Sequence, residues 1–173
     1  MKTLIAASAV LAVAASGPAS LAAPKPPGPY RYALPLDLAL EASTEAVRVC
    51  GLRGYRVTAT VVDMDGIPQV VLRGDGATVH TGQSSFEKAF TVVTLGPEFG
   101  FDTSGALFEL VKTNPYAPRL AQVDHVMALP GAVAFYADGA IVAALGVGGA
   151  PGGDKDEVCA RAGIAKVADR LPR

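Results

Sequence analysis

A histidine, a lysine and a threonine in the middle of the chain are the residues best placed to do chemistry. His80 lies in Gly76-Ala77-Thr78-Val79-His80-Thr81, between a strand pattern and a helix pattern, where an imidazole can reach a pocket without being locked in a core. An imidazole so placed can serve as an axial ligand to haem iron. A lone loop histidine facing solvent is the ordinary alternative. Lys88 and Thr91 stand three apart on the helix pattern that follows, so they share a face and can offer a cation and a hydroxyl to a carboxylate-bearing ligand. A solvated lysine and a hydroxyl bonded to its own helix backbone are the alternatives there. His125, the second histidine, falls in an ambiguous stretch and makes the weaker case.

Other familiar chemistry is poorly served. Gly146-x-Gly148-Gly149-x-x-Gly152 lies between a strand and a helix, yet Pro151 stands where a dinucleotide fingerprint needs its third glycine, and no P-loop occurs. A close strand-to-helix turn explains it, with an anion cradle of free helix amides as the functional alternative. Asp63-x-Asp65-Gly66 resembles part of a calcium loop but lacks the remaining ligands, so a turn is the better account. Two histidines and two cysteines make no recognisable zinc cluster, and neither GxSxG nor HExxH appears, so no catalytic residue is assigned and an enzyme is unsupported.

The elements that must position these groups follow from the hydrophobic pattern. Residues 1–22 read as a secretory signal peptide: Lys2, an apolar stretch from Leu4 to Ala15, and Ser20-Leu21-Ala22 as a small-x-small cleavage site. The apolar run stops at Ser16-Gly17-Pro18, short of a membrane span, so none is expected after cleavage. Residues 23–35, with five prolines, read as an extended, poorly packed leader, and 36–173 as one domain. Within it, Asp37 to Cys50 forms a first helix. Tyr55–Val62 and Pro68–Arg73 form a hairpin around Asp63-Met64-Asp65-Gly66. Ser84 and Glu87 offer a capping box for a second helix over 84–95, with Phe86, Ala89, Phe90 and Val93 on one face. A shorter helix runs from Thr103 or Ser104 to Lys112. Ala132–Ala137 and Ala140–Val147 flank Asp138-Gly139, the strongest hairpin signal present. Asp154 and Glu157 open a last helix with Val158, Ala162 and Ala165 as its apolar seam.

This order predicts an α+β fold, an antiparallel sheet flanked by helices. The chain of 173 residues is 50% hydrophobic and 18% charged, too apolar for disorder. Its 15 basic and 16 acidic residues leave no electrostatic footprint for nucleic acid or an anionic membrane. Export to a secreted or periplasmic location would place Cys50 and Cys159 in an oxidising compartment, which favours a disulfide between the first and last helices over two buried thiols.

Taken in order, these motifs resemble the GlcG/HbpS-like haem-binding proteins. Leu38-Ala39-Leu40-Glu41-Ala42 leading to Cys50 and Gly54-Tyr55 is similar to the family's opening helix, and Val61-Val62-Asp63 through Leu72-Arg73-Gly74-Asp75-Gly76-Ala77 to its first hairpin. Ser84-Ser85-Phe86-Glu87-Lys88-Ala89-Phe90-Thr91 resembles the helix carrying Lys-Ala-x-Thr. Gly139–Gly149 with Asp156-Glu157-x-Cys159-Ala160-x-Ala162-Gly163 resembles the ending. Two departures touch the presumed pocket rim, Gly131-Ala132-Val133-Ala134 and Val147-Gly148-Gly149.

The resemblance implies a profilin-like fold, a tendency to form homo-oligomers and, for exported members, haem binding beside a sensor protein. Intracellular relatives have no settled activity. The expectation is therefore an exported haem-binding protein, with His80 or Thr91 approaching the iron and the propionates meeting Lys88 or free helix amides. A binding module for a small hydroxy or keto acid, using the same lysine and helix terminus, is the alternative.

Overall fold

A computed structural model describes residues 32–172. The expected signal peptide and most of the leader lie outside the described residues. At the leader's end Leu34 is buried, and its carbonyl accepts a hydrogen bond from Gln69 Nε2, so the packed domain begins slightly before residue 36.

The chain runs α1 (Leu36–Leu52), β1 (Thr58–Asp63), β2 (Pro68–Arg73), α2 (His80–Phe99), α3 (Ser104–Thr113), α4 (Ala117–Leu120), β3 (Ala132–Ala137), β4 (Ala140–Gly148) and α5 (Gly153–Val167). The strands form one antiparallel sheet in the order β2-β1-β4-β3, matching the α+β expectation. Both tight turns have local causes. Asp63 Oδ1 accepts from the amides of Asp65 and Ile67, which closes the first turn. Asp138 and Gly139 both take positive φ, 51° and 74°, as a type I′ hairpin requires.

Each face of the sheet carries its own core. On one, Ala59, Val61, Leu145 and Val147 pack against Leu38, Ala42, Ala46 and Cys50 of α1 and Cys159, Ala160 and Val167 of α5. The Cys50–Cys159 disulfide joins those two helices, with Cα atoms 5.7 Å apart. On the other, Val62, Ala132, Ala134 and Ala144 pack against Ala89, Val92 and Val93 of α2. Helix α2 lies unusually close to the sheet because β4 presents glycines. A Cβ on Gly146 would stand 2.0 Å from the Ser85 carbonyl oxygen, and one on Gly148 2.2 Å from Ser84 Oγ. Close backbone approach is thus the role of these two glycines in the glycine-rich segment.

Two helix readings need correction. Helix α2 starts at His80, four residues before the expected Ser84, and the capping box does not form: Ser84 Oγ donates to the Thr81 carbonyl. The reason lies across the interface, where Thr81 Oγ1 pairs with Thr58 Oγ1 and Ser85 Oγ with Thr60 Oγ1, each at 2.7 Å. Residues polar enough to suggest a loop are the helix's inner stripe, satisfied by strand hydroxyls. In α5 the buried face is Asp156, Cys159, Ala160, Gly163 and Val167, not the predicted seam. Val158 and Ala165 are exposed and Ala162 half-buried, because the disulfide and the sheet turn the helix on Cys159.

Candidate functional site

The proposed lysine faces inward. Lys88 is 3% exposed, and its Nζ donates to Asp156 Oδ2 at 2.7 Å and to the Val147 carbonyl at 3.1 Å. Asp156, 2% exposed, also accepts from the Ala150 amide through Oδ1 at 2.9 Å. Burial pushes the Asp156 carboxyl above the ordinary aspartate range, while Lys88 and the amides of Ala150 and Gly149 pull the other way. The loop that could have cradled an external anion thus holds the protein's own carboxylate. Gly131, at φ 137°, makes room for the pair: a Cβ there would lie 2.7 Å from Lys88 Nζ.

Thr91 is also engaged internally. Its buried Oγ1 donates to the Glu87 carbonyl and accepts from the Met127 amide, both at 2.8 Å. The second bond fastens the segment before β3 across α2. That segment carries His125, whose φ of 65° is uncommon outside glycine. Its exposed ring stands edge-on to Phe86 and Phe90, at centroid separations of 5.5 and 5.7 Å, and the two phenylalanine rings are 5.6 Å apart. Met64 and Phe86 pack onto the core beneath α2. A Cβ on Gly66 would meet Phe90 Cε2 at 2.8 Å, so the β1–β2 turn closes against that ring. Phe86 and Phe90 were readable as one helical face, whereas His125, 35 positions beyond Phe90, had no local signal to join them.

His80 is exposed at the first residue of α2, with Nε2 3.4 Å from Thr78 Oγ1. The structure therefore ties Thr91, on α2, to the segment that carries His125 through the Met127 amide, and places His80 at the first residue of α2. Asp156 is the buried functional partner that sequence reasoning missed. A signal existed: Thr81, Ser85, Lys88, Val92 and Gly96 recur at helical spacing, placing the lysine on an inward stripe.

An open groove of about 370 Å³ lies between α3 and α5, with Ala106, Pro130 and Val158 in its wall and the carboxylates of Glu109, Asp154 and Glu157 on its lining. Arg161 Nη2 donates to Glu157 Oε1 at 2.6 Å. Among the described residues, no helix is long and apolar enough to cross a membrane.

The description "Haem degrading protein HbpS-like" fits residues 34–165 by its family model. The chain belongs to this HbpS-like family. A double mutant of HbpS from Streptomyces reticuli is 37% identical, with a TM-score of 0.70 and 87% of this chain and 97% of that one covered. Another crystal structure of HbpS is 36% identical at the same TM-score, covering 84% and 97%. The Klebsiella pneumoniae protein ORFY, 16% identical over 84% of this chain and 98% of its own, has a TM-score of 0.73 and shows that the HbpS-like fold persists at low identity. No curated protein sequence matches the chain.

Proposed function

We propose that this HbpS-like chain is an exported haem-binding protein that takes the macrocycle at the flank of α2, where Phe86 and Phe90 meet the segment carrying His125. The observation that carries this reading is the accessible imidazole of His125 set against the Phe86–Phe90 pair, in a chain of this family. A porphyrin needs apolar surface for its face and a donor atom for its iron, and these residues offer both. The fold itself is compatible with haem elsewhere: the PduOC–haem complex, 22% identical with a TM-score of 0.67, covers 78% of this chain and 95% of its own. Haem would supply the redox-active iron, and the protein would supply the apolar seat and the axial donor.

The expected role of Lys88 changes. Lys88 and the loop amide of Ala150 are engaged with Asp156, so propionates would have to find other donors or remain in water. The small-acid alternative relied on Lys88 as its cation and loses it to this internal pairing. Export is supported by the N-terminal pattern and by the Cys50–Cys159 disulfide, which suits a secreted or periplasmic location. Self-association and a sensor partner belong to the same reading and rest on the family.

Hemin titration of the purified chain, followed by Soret absorbance against albumin and a non-binding control, tests the proposal. A saturable, stoichiometric shift is expected. Binding that is absent or fails to saturate would overturn it.

A further inference from the structure

The chain has two histidines, and the structure gives them unequal surroundings. His80 has a threonine hydroxyl near its ring and, beside it, Val79 at 88% exposure. His125 is braced by two aromatic rings, while its exposure leaves part of the imidazole in contact with solvent. The two ring contacts restrict the orientation of the imidazole. The backbone of His125 is itself held: the amide of Met127, two residues on, bonds to Thr91 Oγ1.

Resting on the haem reading above, we propose that His125 is the imidazole that ligates the iron, that Phe86 and Phe90 with Met64 form the apolar seat beneath the porphyrin, and that Thr91 is a positioning residue. Thr91 acts through the Met127 amide and not by touching iron, since its hydroxyl is buried and bonded on both sides. The arrangement separates ligand from support. The donor comes from a loop, and the helix beneath supplies both the apolar surface and the tether. It also accounts for a threonine at this position: a hydroxyl can accept the Met127 amide while donating to its own helix, whereas valine can do neither.

The test uses the full purified chain with added hemin, reading Soret titration together with resonance Raman or electron paramagnetic resonance for the iron–imidazole signature. His125→Ala should lose that signature and weaken binding by at least ~10-fold, the order of loss seen when metal-site support is removed. Free imidazole added to this variant should restore the spectrum. His80→Ala should leave both unchanged. Thr91→Val should weaken binding and broaden the signature, while Thr91→Ser, which keeps the hydroxyl, should retain it. Far-UV circular dichroism confirms that each variant is folded, and His125, being exposed, tolerates alanine. Saturable binding with an unaltered spectrum in His125→Ala overturns this assignment and leaves the haem reading standing. Failure of the unsubstituted chain to bind hemin saturably overturns both.

Discussion

Lys88 and Asp156 form a buried ion pair at 2.7 Å that joins the middle of α2 to the first turn of α5. Each partner also reaches backbone near the β4–α5 connection, Lys88 the Val147 carbonyl and Asp156 the Ala150 amide. One pair thereby ties together helices on opposite faces of the sheet and the glycine-rich loop between them.

Removing one partner strands the other charge away from water. Lys88→Met should destabilise the fold by about 3–5 kcal/mol, whereas replacing both partners with apolar residues of similar volume should cost far less. Urea denaturation of Lys88→Met, Asp156→Leu and the double variant measures the coupling. Additive losses would mean that the pair carries no specific interaction.

The pH dependence follows from the raised Asp156 carboxyl. A group whose folded pKa exceeds its unfolded value favours the fold fully below the unfolded value, and that contribution is lost as pH rises through the folded value. Between the ordinary 3.8 and the folded value, Asp156 therefore makes stability fall with rising pH. Asp156→Asn should remove that slope from a stability–pH series. Lys88→Met should move the Asp156 carboxyl still higher, because Lys88 is the strongest influence lowering it. Carbon-detected NMR titration of the carboxyl reads both effects directly.

The Cys50–Cys159 bridge spans 109 positions. Closing a loop of that length constrains the unfolded chain by nearly 5 kcal/mol in the loop-entropy account. The paired Cys50→Ala, Cys159→Ala variant should lose stability of that order, with a lower thermal midpoint. Intact mass should lie about 2 Da below the fully reduced value, consistent with a formed bridge.

Gly146 and Gly51 make a matched contrast. Alanine at Gly146 would drive its Cβ into the Ser85 backbone, so α2 must move, at about 1–3 kcal/mol or more. Alanine at Gly51, inside α1 with nothing within 4 Å, should stabilise by roughly 0.5–1 kcal/mol. Equal effects in thermal melts would contradict the close approach of α2 to β4.

The sequence was most informative where structure is local. Asp138-Gly139 announced its turn because two adjacent residues carry the needed φ values, and Thr103 was readable as a helix start because its side chain accepts the Ala106 amide. The pairing of Cys50 with Cys159 followed from compartment, not spacing. What escaped detection depends on partners distant in sequence. Thr81 read as a loop residue, and Ser85 lay in the expected helix with no partner in view, until Thr58 and Thr60 supply their hydroxyl partners. Lys88 read as an accessible cation until Asp156, 68 positions away, meets it. His125 lay in a stretch without periodicity, and only the tether to Thr91 sets it beside Phe86 and Phe90.

The two faces of the sheet are fastened by different kinds of bond. Helices α1 and α5 are stitched covalently, so heat, denaturant or a pulling force cannot part them without reduction. Helix α2 is held by its apolar packing on Val62, Ala132, Ala134 and Ala144, by hydroxyl pairs, an ion pair and close-packed glycines, none of them covalent. The molecule should therefore peel before it unravels, with α2 lifting away while the α1–α5 layer stays shut. Amide hydrogen exchange would show this as earlier labelling of α2 than of α1.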